Sequence, residues 1–163
     1  SSSAYAAMNM WLKIGGWELV EALARNQIIA ESSSAPFTQV GQGEMPIGVA
    51  YEEGAFRWVP TGRIEIVYPE DGVAFLPGGL FIVRNGPNPN AARLFVDFLL
   101  SKEQQEALAE TFPGRRPTHK EVSLHPSMPT VDQLNVFPYP EEEAAENREQ
   151  YLAIWRQIMI RTR

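Results

Sequence analysis

A chain of 163 residues with 44% hydrophobic and 21% charged side chains holds enough apolar material for one domain or two small lobes, which excludes wholesale disorder. Against 20 Asp and Glu stand 14 Lys and Arg, for a formal charge of −6, and with no dense basic block the chain is a poor partner for nucleic acid or an anionic membrane surface. The absence of cysteine removes thiol catalysis, Cys-ligated zinc, iron–sulfur clusters and disulfides.

Ala4, Ala7, Met8, Trp11 and Leu12 recur at i, i+3, i+4, i+7, i+8, the stripe of one helix face. Ser1, Ser2 and Ser3 stand ahead of it as candidate caps. Gly15-Gly16 ends this helix, and a second runs over residues 17–25. Ser32-Ser33-Ser34-Ala35-Pro36 predicts a turn and a short helix with Pro36 in first position, ending near Gly41-Gln42-Gly43. Residues 46–51 read as a short buried strand, with Glu52-Glu53-Gly54 beyond its carboxyl end and a helical turn over 55–59. Alternation over residues 63–68 is a second strand signal. Two apolar strands over 73–76 and 80–83 flank Pro77-Gly78-Gly79.

Farther along, Ala91, Leu94, Phe95, Phe98 and Leu99 form the inward face of a helix over 91–100. Ser101-Lys102-Glu103-Gln104 matches the capping box, so another helix starts there and runs to Thr111. Residues 112–138 hold five of the 13 prolines and read as an irregular surface stretch. The last helix starts at Pro140 with Glu141-Glu142-Glu143 in its first turn. Its apolar stripe is Tyr151, Leu152, Trp155, Ile158 and Met159. Helices interleaved with single short strands predict a layered α/β fold. No run approaches the ~20 apolar residues of a membrane span.

Taken in order, four stretches carry a resemblance. Gly43-Glu44-Met45-Pro46-Ile47-Gly48-Val49 is similar to a turn into a strand, and Tyr68-Pro69-Glu70-Asp71-Gly72 to a crossing between lobes. The run from Asn88 to Gln105, Asn-Pro-Asn-Ala-Ala-Arg-Leu-Phe-Val-Asp-Phe-Leu-Leu-Ser-Lys-Glu-Gln-Gln, is similar to a helix pair, and Arg115-Arg116-Pro117-Thr118 to a turn near the end. Together they resemble the C-terminal half of a type II periplasmic solute-binding protein of an ABC importer, in the branch of ferric-ion, phosphonate and sugar-phosphate receptors. Members of that family are considerably longer. The resemblance therefore implies portions of the two lobes of a type II periplasmic-binding-protein fold with the N-terminal half missing. Residues 1–68 would be the second, ligand-binding lobe, 69–72 the inter-lobe crossing, 73–138 part of the first lobe, and 139–163 a helix of either lobe. The opening residues, without initiator Met, basic start or apolar signal core, fit a mature form or a fragment.

Two places are candidates for ligand contact. Free N–H groups, hydroxyls and the positive end of a helix at Ser1, Ser2 and Ser3 suit a phosphate, phosphonate or carboxylate; an ordinary N-cap is the plainer alternative. The resemblance implies that this loop grips anionic ligands. Tyr51 and Glu52 stand at the carboxyl end of the 46–51 strand, where open α/β sheets bind ligands. Ferric receptors of the family use adjacent tyrosines there; only Tyr51 is present here, followed by carboxylates that suit a hard cation or a ligand ammonium group. Glu53 reads as a solvated acidic turn, Arg115-Arg116 as solvated or capping helix carbonyls, His119 and His125 as exposed loop histidines, Trp58 as a residue that can line a cleft, and Asp71-Gly72 as hinge geometry. No Walker loop, G-x-S-x-G or H-E-x-x-H is present, and adjacent carboxylates in a strand point to opposite faces.

The expectation is thus a non-enzymatic solute-binding component with no cofactor, in the periplasm or outside the cell and tethered through an absent N-terminus. It would capture a small anionic or zwitterionic solute of the phosphonate or phosphate-ester class. Its partners would be that solute, the importer permease and the missing N-terminal half, with self-association of the fragment alone. Capture of Fe³⁺ as transported ligand through Tyr51 and Glu52 is the alternative, and a small phosphate-ester hydrolase the rival from another class.

Overall fold

A computed structural model of the chain describes residues 2–162, so Ser1 lies outside the described residues. Along it run helices α1 (Ser2–Asn26), α2 (Ala35–Gln42), α3 (Glu52–Phe56), α4 (Pro89–Leu100), α5 (Lys102–Thr111), α6 (Glu141–Glu146) and α7 (Arg148–Thr162). Strands β1 (Val73–Ala74) and β2 (Val136–Phe137) pair in parallel. The chain is therefore α/β, with helices and one small two-stranded parallel sheet. Backbone contacts gather it into two compact units. The first takes the chain through Pro36, Tyr68–Leu76, and the chain from Leu134 on; the second takes Phe37–Val67 and Pro77–Gln133.

In the first unit, α1 bends where the paired glycines predict a stop. Gly16 has φ 64° and ψ −168°, a left-handed backbone that residues with a Cβ avoid. The two arms of α1 and the face of α7 enclose Met8, Val20, Ala24 and Ile158, of which Val20 and Ile158 are fully buried. Tyr5, Trp11, Leu12, Trp17, Tyr151, Ile154, Trp155 and Met159 pack around them. The helical spacing foretells Met8, Trp11, Leu12, Tyr151, Trp155, Ile158 and Met159; Tyr5, Val20, Ala24 and Ile154 are additions, and Ala4, expected on the same face, is exposed. Trp17 meets Tyr151 edge-on at 5.5 Å between ring centroids. The terminal helix is interrupted at Asn147, whose backbone N–H and side-chain amide both donate to the Glu143 carbonyl, at 3.0 and 2.9 Å. β1 and β2 place Val73 beside Val136 and Ala74 beside Phe137. The turn before β1 is tied to this pair by the Asn135 amide, which donates to the Glu70 carbonyl at 2.8 Å.

The second unit departs from the predicted strands. Residues 46–51, 63–68 and 80–83 carry no strand, and of residues 73–76, in the first unit, only Val73–Ala74 pair. Ile47 is 83% exposed and Phe81 90% exposed, so the expected buried strand before Tyr51 is an open, irregular segment. A strand's hydrogen bonds come from a neighbouring strand, and these segments have no strand neighbour among the described residues. Helices need no such neighbour. α4 and α5 stand where predicted, and Ser101 joins them, its hydroxyl accepting from the Gln104 N–H at 3.3 Å. Yet the face of α4 expected to point inward is open: Leu94, Phe95 and Phe98 are all more than half exposed.

The exposed surface gives a measure of this openness. The chain exposes 11621 Å², whereas two separate folded bodies sharing its mass would expose about 9,800 Å². Exposed large apolar residues of the second unit concentrate at 47–49, 80–83 and 94–100, beyond the scattered singles of an ordinary surface.

Candidate functional site

Ser2 and Ser3 form the first turn of α1 in the first unit, Ser2 exposed and Ser3 half-buried. Tyr51 and Glu52 belong to the second unit. Tyr51 is not the end of a strand. It is the extended N-cap of α3, with φ −82° and ψ 145°, and it makes no side-chain cap. The ring meets Phe37 edge-on, centroids 5.4 Å apart, and the residue is 40% exposed. Its hydroxyl has no hydrogen-bond partner among the described residues.

What locks α3 in place is packing and charge. Phe56 is buried, and the buried Gly54 lies under the Phe37 ring so closely that any Cβ there would collide with it. Glycine is thus required by contact in the middle of a helix where it is otherwise unfavourable. The Glu52 carboxylate is held in fork fashion by Arg116: Nε donates to Oε2 at 2.7 Å and Nη2 to Oε1 at 2.8 Å. Arg116 Nη1 donates in addition to the Pro129 carbonyl at 2.8 Å. The side chains of the pair are only 13% and 22% exposed. Such bidentate, charge-assisted geometry is the strong form of the interaction.

Beside it, Arg115 reaches Glu53 at 3.3 Å, and Arg57 lies 3.8 Å from the same carboxylate. The acidic pair and the basic pair therefore close on each other, and Glu53 is not a solvated turn nor Arg115-Arg116 a free pair. No local pattern announces this, since 62 to 64 residues separate the partners. The only signal is that two dipeptides of opposite charge each adjoin a glycine, Gly54 and Gly114.

The histidines are half-buried rather than exposed. His125 packs edge-on against Phe56 at 5.1 Å, and Nδ1 of each ring accepts a backbone N–H two residues on, from Glu121 and Ser127. Trp58 is half-buried over Gly41. Asp71-Gly72 lies in the turn leading to β1, where the Gly72 N–H donates to Pro69 at 3.2 Å. Among the described residues no three His, Asp or Glu side chains gather as a metal cluster, and no helix is long and apolar enough to cross a membrane.

The second unit offers an exposed phenol on a braced turn, and the first unit offers hydroxyls at a long helix's first turn. Such groups bind polar atoms. Comparison with known proteins gives two matches. A family described as bacterial extracellular solute-binding protein matches residues 1–112, a span that includes both candidate places. A protein of Haemophilus influenzae described as uncharacterized is 30% identical over 112 residues, covering 65% of this chain and 32% of the relative. The chain thus corresponds to about a third of that relative's length. No solved structure matches.

Proposed function

Because the chain belongs to the family of bacterial extracellular solute-binding proteins, we propose that it is part of a receptor that captures a small solute for an ABC-type importer and releases it unchanged. The family match over residues 1–112 carries this reading. In it, residues 1–68 contribute the ligand-binding lobe, 69–72 the crossing and 73–138 part of the other lobe, with the receptor working in the periplasm or outside the cell. The rest of the receptor covers the open faces at 47–49, 80–83 and α4, which a longer chain of the relative's size has the length to do. The solute is anionic or zwitterionic, of the phosphonate or phosphate-ester class, and the serine-led helix start of α1 and Tyr51 are each a place of contact for it in this reading. Glu52 acts from behind, because both its oxygens are engaged by Arg116. Ferric ion is the second reading, supported by the exposed phenol of Tyr51, a hard oxygen donor.

The test is to tag the chromosomal gene at its 3′ end and weigh the product by native mass spectrometry, then add methylphosphonate, glycerol phosphate or ferric citrate. The reading expects saturable binding and a ³¹P spectrum of the ligand unchanged after incubation. Release of inorganic phosphate would make the protein a hydrolase. A product of 18.3 kDa plus the tag that retains none of these probes would sink the receptor reading.

A further inference from the structure

The segment before Tyr51 gives that residue no support. Residues 46–50 are irregular, and Ile47 and Val49 are open to solvent. α3 has five residues, too few to be stable by its own hydrogen bonds. The backbone bond that begins it, from the Ala55 N–H to the Tyr51 carbonyl, is 3.3 Å long. The position of the Tyr51 phenol therefore comes from what α3 is fastened to. Phe37 touches the ring from one side. The shortest fastening at the start of the helix is the fork from Arg116 to Glu52, the residue directly after Tyr51.

We infer that Arg116 is the positioning residue for Tyr51: by gripping both Glu52 oxygens and the Pro129 carbonyl together, it fixes the first turn of α3 and with it the exposed phenol. Three donors of one planar group satisfy two separate chain segments, so rotating the turn breaks several bonds at once. A lysine has the charge but not the fork. The neighbouring Arg115–Glu53 contact is different in kind. It is longer, at 3.3 Å, and Arg115 is 48% exposed, so solvent screens it. The two adjacent arginines thus have unequal roles, and Arg115 serves as the internal control. The inference rests on the reading of Tyr51 as a group that touches solute, and the experiment separates the two.

The full chain is labelled with 3-fluorotyrosine, which gives one ¹⁹F line for each of its five tyrosines; Tyr51→Phe identifies the line of interest. In the parent chain this line is narrow. Arg116→Lys broadens it by about twofold or more as the turn begins to exchange on the microsecond–millisecond scale, while the other four lines and the helical circular dichroism stay as they were. Arg115→Lys leaves the Tyr51 line unchanged. An unaltered Tyr51 line in Arg116→Lys overturns the inference. Collapse of all five lines together also overturns it, because Arg116 would then hold the whole unit and not this turn. Methylphosphonate or ferric citrate is then added to the parent chain. A shift of the Tyr51 line supports the solute contact; no shift, with the Arg116→Lys effect intact, removes the solute contact and leaves the positioning role in place.

Discussion

Glu143 shows how one side chain ties three helices. It sits on α6, pairs with Lys13 of α1 and accepts from the Tyr151 hydroxyl of α7 at 2.9 Å. These hydrogen bonds, Lys13 first and then Tyr151, hold its carboxyl below the ordinary glutamate value near 4.5. Burial, followed by the bond to Glu143, pushes the Tyr151 phenol up, so it stays a donor to higher pH. A carboxyl whose folded pKa is depressed contributes stability that is present above its unfolded value and lost as pH falls through the folded one. The thermal midpoint of the first unit, followed by tryptophan fluorescence, is therefore expected to drop on acidification below about pH 4.5, and Glu143→Gln to flatten that acid limb. An equal acid loss in parent and variant would show that Glu143 is not its source. At this scale the sequence was a partial guide. Glu143 reads as a helix-start acid from its position, but Lys13 is 130 residues away and no spacing rule joins them.

At the level of elements, helices and strands fared differently for a physical reason. α1, α4, α5 and α7 follow from caps, glycines and apolar spacing that lie within each segment. Strand signals at 46–51, 63–68 and 80–83 were genuine in composition, but a strand is completed by its neighbour. β2, with two residues in a proline-rich stretch, had no signal of its own and exists by pairing with β1. The helix faces make the contrast measurable. Ile158 on α7 is 1% exposed and Phe95 on α4 is 59% exposed. In the chain studied alone, Ile158→Ala is expected to cost about 3 kcal/mol by urea unfolding. Phe95→Ser is expected to cost under ~0.5 kcal/mol, as surface changes do. A large loss for Phe95→Ser would mean that the α4 face is already covered.

For the whole molecule, the open apolar residues of the second unit are the governing feature. Phe81, Ile82 and Val83 lie beside the start of α4 and share a shallow recess with Pro87, Pro89 and Ala91. Exposed apolar surface of this kind promotes association. Sedimentation velocity of the isolated chain is expected to show concentration-dependent self-association, which Phe81→Asp with Val83→Asp reduces. A strictly monomeric parent at high concentration would refute this and would weaken the case that another part of a receptor covers the face.

The amino-acid order by itself determined where α2, α4 and α5 lie and where α1 departs from a straight course, the acidic balance, and the family that the match over residues 1–112 later supported. Those features are written in residues one to eight positions apart, because helical hydrogen bonds and side-chain stripes are local. Only the tertiary structure decided that Glu52 and Arg116 grip each other, that Tyr51 caps a helix instead of ending a strand, and that the apolar face of α4 is open. Each of these depends on which distant segment is present to supply a charge, a hydrogen-bond ladder or a cover, and chain order does not encode distance in space.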